Sequence, residues 1–258
     1  MYAPEREPIR DPDERLGRWI LVGVILIAVA VGLWLWQRQK GADTQEAVTE
    51  QPVAAAGPRI EHPIETPAVT DPALSAPEEA AKLVGEDKFQ AMFLPEDFVR
   101  RVVATVDNLT RPKIATRMNP AKPPAGDFAI VGSNEEIVLG AANYERYAQW
   151  IELVDALDAD TTVELYRKMY PQLQAAYESL GNPDGYFNDR VIEILDHLIA
   201  TPVAPATIVL KQPNVLYEFA DPMLEAESSG RKLLFRMGPG NAARVKAKLR
   251  DIRNRIAS

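Results

Sequence analysis

The chain contains no cysteine and only two histidines, His62 and His197, in 258 residues. The first absence excludes a disulfide framework, a thiolate nucleophile and any cysteine-ligated metal. It also fits an oxidising compartment, where stray thiols are a liability. The second leaves no pair of histidines near one another in sequence, so no metal site and no cofactor is expected. Positive charge is also short: 29 Lys and Arg stand against 37 Asp and Glu, a net charge of −8. An acidic surface repels phosphate, which excludes general affinity for nucleic acid. What is plentiful is apolar: 47% of the residues are hydrophobic, enough for a core in one or two domains.

The charge is unevenly distributed. Residues 231–258 carry nine basic side chains against the single acid Asp251, whereas residues 89–230 carry 11 basic and 21 acidic ones. Two arrangements account for a basic tail of this kind. It lies on the acidic body of the same molecule, or it offers a surface to anionic lipid or a polyanionic polymer.

One long apolar run is present, "WILVGVILIAVAVGLWLW", Trp19 to Trp36, with no charge in 18 residues. As a helix it extends about 27 Å, close to the hydrocarbon thickness of a bilayer. Trp19 at one end and Trp34 and Trp36 at the other suit the interface, and Arg18 and Arg38 bracket the run. Ala28-Val29-Ala30 has the form of a signal-peptidase site, but the apolar run continues beyond it, so an uncleaved anchor is expected. Arg6, Arg10, Arg15 and Arg18 precede the run, against Arg38 and Lys40 after it. By the positive-inside tendency, residues 1–18 stay in the cytoplasm and the remainder crosses the bacterial inner membrane into the periplasm.

Residues 37–77 read as a linker. From position 41 they hold six prolines and eight alanines without sustained apolar periodicity, the composition of an extended, disordered tether. His62 falls here and is expected to be solvated.

From about residue 78 the pattern becomes globular. "PEEAAKLVGEDKFQAMF" reads as one short helix. "PEDFVRRVVATVDNL" reads as the next, with Pro95 at its first position and Phe98, Val99, Val102, Val103, Val106 and Leu109 on one stripe. "FVRRVVATVDNL" aligns without gaps on "FNDRVIEILDHL", matching Arg101 with Arg190 and Asp107 with Asp196. "FAIVGSNEEIVLG" and "ATIVLKQPNVLYEF" each read as a β-hairpin, and each is followed by two helical stretches. The expected fold is mainly α with small β-hairpins (α+β). It comprises two similar helix–hairpin–helix–helix halves, at about 95–180 and 184–257.

The densest polar stretch is "NPDGYFNDRVIEILDHLIATP". Asn182-Pro183-Asp184-Gly185 has the signature of a type I turn. The following helix puts Val191, Ile192, Leu195, Leu198 and Ile199 on an apolar face and Asp189, Arg190, Glu193, Asp196 and His197 on the other. With Tyr186 and Asn188 at its start, these five are the candidate binding residues. Three readings are open: a solvated face, a buried polar network between the two halves, or a metal or catalytic centre. Glu193 and His197 have chelating i, i+4 spacing, but no second histidine is near. An EF-hand register starting at Asn182 puts glycine fourth instead of sixth. No catalytic residues are assigned.

Other motifs are thinner. "MGPGNAARVK" places Gly238, Gly240 and Asn241 at a helix start without the ending of a phosphate loop, so Asn241 is expected as an N-cap. Ser228-Ser229-Gly230 is not a nucleophile elbow, and no base is in sight for it. Tyr144, Tyr147, Trp150, Tyr166, Tyr170 and Tyr177 form an aromatic-rich helix pair, as core or as a stacking groove.

The segments "FVRRVVATVDNLTR", "ANYERY", "NPDGYFNDRVIEILDHLIATP", "VLYEFADPMLE" and "RKLLFRMGPGNAARVKAKLR" resemble a bacterial family of single-pass membrane proteins catalogued as domain of unknown function 3014, over about residues 95–255. The resemblance implies an envelope protein with one N-terminal anchor and a soluble domain, and carries over no activity or site residues. The expected function is that of a membrane-anchored, extracytoplasmic binding or scaffold protein of the cell envelope. It touches the bilayer through residues 19–36 and engages another envelope protein or a cell-wall polymer. The alternatives are an envelope hydrolase using Asp189, Glu193, Asp196 or Glu178, and a structural component that oligomerises.

Overall fold

The computed structural model describes residues 60–66, 74–133, 136–214 and 216–257. The apolar run Trp19–Trp36 and the linker up to residue 59 lie outside the described residues. Among those described, no helix is long and apolar enough to cross a membrane.

Among the described residues, ten α-helices, one 3-10 turn (Thr116–Met118) and one small sheet follow in order. The stretch expected as one helix is two, α1 (Ala76–Val84) and α2 (Glu86–Met92). They break at Gly85, whose φ of 92° an L side chain rarely adopts. The chain then turns through Asp97, at φ 52°, into α3 (Phe98–Asn108), so Pro95 precedes the helix instead of opening it.

The two hairpins, β1 (Ile130–Ser133) with β2 (Glu136–Leu139) and β3 (Val209–Lys211) with β4 (Glu218–Phe219), are joined. They form one antiparallel sheet of order β1-β2-β3-β4. The register sets Ile137 opposite Leu210 and Leu210 opposite Phe219 on the covered face. There they meet Leu139, Ile208 and Phe235. The next row, Val131–Val138–Val209, falls on the opposite face, where Val131 and Val209 are exposed.

After the first hairpin come α4 (Ala142–Arg146), α5 (Ala148–Ala156) and α6 (Ala159–Ser179), then α7 (Phe187–Ile199). After the second come α8 (Pro222–Ala226), α9 (Ser229–Arg236) and α10 (Pro239–Ile256). Three helices, not two, therefore follow each hairpin, because Tyr147 and Glu227 interrupt the expected long ones. The order helix, hairpin, short helix, helix, long helix runs twice. In each run the first helix packs against the last, α3 on α6 and α7 on α10.

α7 is the centre of the packing. Its side chains enter three of the four apolar clusters. Phe187 joins Val103, Met169 and Tyr170; Ile194 and Leu198 join Ile151 and Leu234; Ile192 and Leu195 join Val163 and Ile256. Ile194 lies outside the apolar stripe that periodicity marks, yet is 2% exposed. A helix touched on several sides buries residues that a one-sided wheel assigns to water.

Two asparagines are fully buried, Asn143 and Asn188. Asn143 locks the first hairpin to α4. Its amide nitrogen donates to the Ala129 and Gly140 carbonyls, and its carbonyl oxygen accepts from Ala129 N at 3.0 Å. Such satisfaction is what lets a buried amide be neutral to stability instead of costly.

The basic tail helix lies on the acidic body. Arg244 pairs with Asp155, Arg253 with Asp196 and Arg255 with Asp160, while Lys246 and Lys248 donate to the Thr201 and Leu157 carbonyls. At the start of α10 the cap is Gly238, at φ 85°, and not Asn241. Asn241 turns back to donate to the Tyr144 and Met237 carbonyls.

If α7 is core on several sides, Ile194→Ala will cost about 2–5 kcal/mol, as much as Leu198→Ala. Urea denaturation of both variants tests this. A cost for Ile194→Ala below about 1 kcal/mol would return the helix to a one-sided packing.

Candidate functional site

The structure places all seven candidate residues on or just before α7 but sends them to four different neighbours. Tyr186, Asn188 and Asp189 face residues 61–64. The Asp189 carboxylate accepts from Glu61 N at 3.0 Å and from His62 N at 2.7 Å, with His62 Nδ1 at 3.3 Å. Asn188 Nδ2 donates to the His62 carbonyl at 2.9 Å, and the Tyr186 hydroxyl accepts from Ile64 N at 2.9 Å. Two expectations are thereby corrected. Residues 60–66, read as part of a free tether, lie against the domain. His62, read as solvated, is half-buried beside Asp189. Within the stretch read as linker, Ile64 and Leu74 pack on the Val103–Phe187 cluster.

The start of α7 is held from below by α6. A helix opens with N–H groups that have no intrahelical partner. Here Gln174 Oε1 accepts from Phe187 N at 2.8 Å and the Tyr170 hydroxyl accepts from Asn188 N at 3.2 Å. The Tyr166 hydroxyl donates to Asn188 Oδ1 at 3.0 Å. Burial pushes the Tyr166 and Tyr170 phenols well above the ordinary tyrosine range, so both stay protonated and act as hydrogen-bonding groups. The Asn182-Pro183-Asp184-Gly185 turn closes as expected, with Gly185 N donating to Asn182 O at 3.0 Å.

Arg190 and Glu193 look toward α3. Arg190 Nε donates to Asp107 Oδ1 at 2.8 Å, and its Nη2 to the Asp107 carbonyl at 2.8 Å and Thr110 Oγ1 at 2.6 Å. Glu193 pairs with the same guanidinium at 2.7 Å, and Arg111 takes the second Asp107 oxygen at 3.0 Å. This is the polar network between the two halves. The aligned pair plays no such part: Arg101 donates to the Glu96 and Arg117 carbonyls, and Asp196 holds Arg253. The position of Asp107 on α3 reads from sequence as a wet face; α7 covers it.

His197 turns to α9. Its Nε2 is 2.8 Å from Ser228 Oγ, which also accepts from Arg231 N as the N-cap of that helix. A base does therefore stand at Ser228, 31 residues away in sequence. The serine is 5% exposed and anchors a helix end. Desolvation, then the nearby Arg231, lowers the His197 pKa below the ordinary 6.5.

The carboxylates considered for hydrolysis are each engaged separately: Asp189 by residues 61 and 62, Glu193 by Arg190, Asp196 by Arg253 and Glu178 by Gln174. Among the described residues no group of three His, Asp or Glu side chains is placed to hold a metal ion. The six aromatic residues do not line one groove: Tyr166, Tyr170 and Tyr177 join the Val103–Phe187 cluster, Tyr144 packs under the sheet, Tyr147 lies beside Ile151, and Trp150 meets Phe93 edge-on. An apolar cavity of about 190 Å³ lies between α1, α3 and α6, lined by Leu83, Phe98, Val102, Leu165 and Met169 and by none of the seven candidates.

These features define an α+β domain organised on one central helix whose polar groups bind neighbouring elements. Residues 98–253 match the family described as "Protein of unknown function (DUF3014)", and the chain belongs to that family. The match begins with α3 and ends within α10. No curated protein and no solved structure matches the chain.

Removing Arg190 leaves Asp107 in a nearly closed site. Arg190→Ala should destabilise the fold by about 2–4 kcal/mol. In a double-mutant cycle with Asp107→Ala, denaturant titration should show coupling of at least about 1 kcal/mol; additive effects would mean the pair does not join α3 to α7. The histidine gives a pH prediction. Its folded-state pKa lies below the unfolded value, so the stability tied to its neutral ring is present above pH 6.5 and lost as pH falls through that value. Between pH 7.5 and 5, wild type should lose more stability than His197→Gln. Parallel pH profiles would show that the ring carries no such linkage.

Proposed function

We propose that the protein is a membrane-anchored binding or scaffold protein of the bacterial cell envelope. In this reading Trp19–Trp36 spans the inner membrane, residues 1–18 are cytoplasmic and the domain is periplasmic. The charge-free run, its terminal tryptophans and the flanking arginines support the span and its direction.

The observation that carries the binding reading is the docking of residues 61–64 on α7. It supports reading this segment as the point where the chain from the membrane joins the domain. The 23 residues from Gln37 to Arg59 then form the spacer. A spacer of that length keeps the domain at high effective concentration near the membrane surface.

The pairing of Arg244, Arg253 and Arg255 with acids of the same chain consumes charge that a cell-wall polyanion or lipid headgroups would need. This favours another envelope protein as the partner. The recurring element order supports reading 95–180 and 184–257 as copies of one unit.

A phosphatase reporter that is active only after export, fused behind Ser258, tests the topology. Activity in intact cells, with the chain retained in the membrane fraction after alkaline extraction, is the expected result. Activity confined to a cytosolic reporter would overturn both compartment and partner.

A further inference from the structure

Residues 61–64 are held in the way that proteins hold peptides. Four of their main-chain groups, the N–H of Glu61, His62 and Ile64 and the carbonyl of His62, are met by side chains of one helix end, Tyr186, Asn188 and Asp189. Pro63 has no N–H to satisfy. The side chains alternate: His62 and Ile64 are half-buried, while Glu61, Pro63 and Glu65 are exposed. Alternate side chains thus turn inward, although the chain bends at Glu61 and His62 and these residues belong to no sheet. Side-chain hydrogen bonds to the backbone give hold without reading sequence, and alternate inward side chains supply the selectivity. Here the inward positions are one that meets the Asp189 carboxylate and one that packs on the Val103–Phe187 cluster.

The trough is also costly to leave empty. Asn188 is fully buried, and its Nδ2 gives its shorter bond to the His62 carbonyl and a longer one, 3.4 Å, to the Ile256 carbonyl. Withdrawing residues 61–64 would remove partners from Asn188, Asp189 and Tyr186 together, at a cost borne by each polar group. Departure is therefore favoured when another backbone arrives.

We propose that the trough formed by the start of α7, α6 and the end of α10 is a recognition site for a short peptide, occupied in cis by residues 60–66. A partner protein takes their place by presenting a hydrogen-bond-donating side chain followed, two residues later, by an aliphatic one. The site stands whether or not residues 19–36 cross a membrane. Because the resident segment is covalently linked, it competes at an effective concentration in the millimolar range. Exchange becomes measurable when that segment is weakened or pulled away.

The test uses the full chain in detergent and a fluorescein-labelled peptide of residues 58–66, read by fluorescence anisotropy. The Ile64→Ser chain should bind the peptide at least tenfold more tightly than wild type, and adding Asp189→Ala should reduce that binding at least tenfold. A peptide carrying the Ile64→Ser substitution should not compete. Equal binding by wild type and Ile64→Ser, or binding indifferent to Asp189, would overturn the proposal. Should Ile64→Ser not fold, hydrogen exchange on wild type gives the answer. Millimolar unlabelled peptide should strip protection from the Glu61, His62 and Ile64 amides, and unchanged protection would overturn it.

Discussion

The guanidinium of Arg190 joins the two helical runs of the molecule. It reaches from α7 to the carboxylate, the backbone carbonyl and the neighbouring threonine hydroxyl at the end of α3. An arginine removed from water is tolerated only when its planar donors are met, and the fork geometry meets several at once. The requirement runs both ways: Asp107 is buried, and its two carboxylate oxygens are met by Arg190 and Arg111. α3 and α7 can then slide past one another only by breaking several charge-assisted bonds together. The apolar clusters on either side inherit that alignment, since Val103 on α3 and Phe187 on α7 share one of them.

The same economy governs the helix ends. The first N–H groups of α9 do not seek water: Ser229 N and Gly230 N donate to the Arg111 and Leu109 carbonyls at 2.7 and 2.9 Å, just where α3 runs out of its own partners. Donors left over at one terminus satisfy acceptors left over at another. Gly230 is required for the approach, because a Cβ there would meet Leu198 Cδ2 at 2.5 Å and the Leu109 carbonyl oxygen at 3.0 Å. α7 is capped through Gln174 and Tyr170 of α6 in place of a side chain of its own.

The legible part of this architecture is the part encoded locally. The stripes of α3 and α7, the Asn182–Gly185 turn, both hairpins and the repeated order follow from spacing, and the mainly helical α+β class follows from them. The pairing of β2 with β3 did not, because Ile137 and Leu210 carry no mark of each other across 72 intervening residues. The breaks at Gly85 and Tyr147 were hidden for a related reason: each sits within a continuous apolar period, and only its own backbone geometry ends the helix. The candidate site shows the same limit. Periodicity grouped Asp189, Arg190, Glu193, Asp196 and His197 on one face but is silent on what covers a face. Their partners, at positions 61–62, 107, 253 and 228, come from distant segments. Residues 60–66 read as tether because composition measures whether a segment can fold by itself, not whether it can lie on something already folded.

The attachment of residues 61–64 also determines how the molecule carries mechanical load. Tension applied along the chain from its N-terminal side does not arrive first at α1. It arrives at three hydrogen-bonding side chains on one turn of α7, loading a short row of contacts before any helix is strained. That row of contacts therefore stands between the N-terminal part of the chain and the helices α3, α7 and α10.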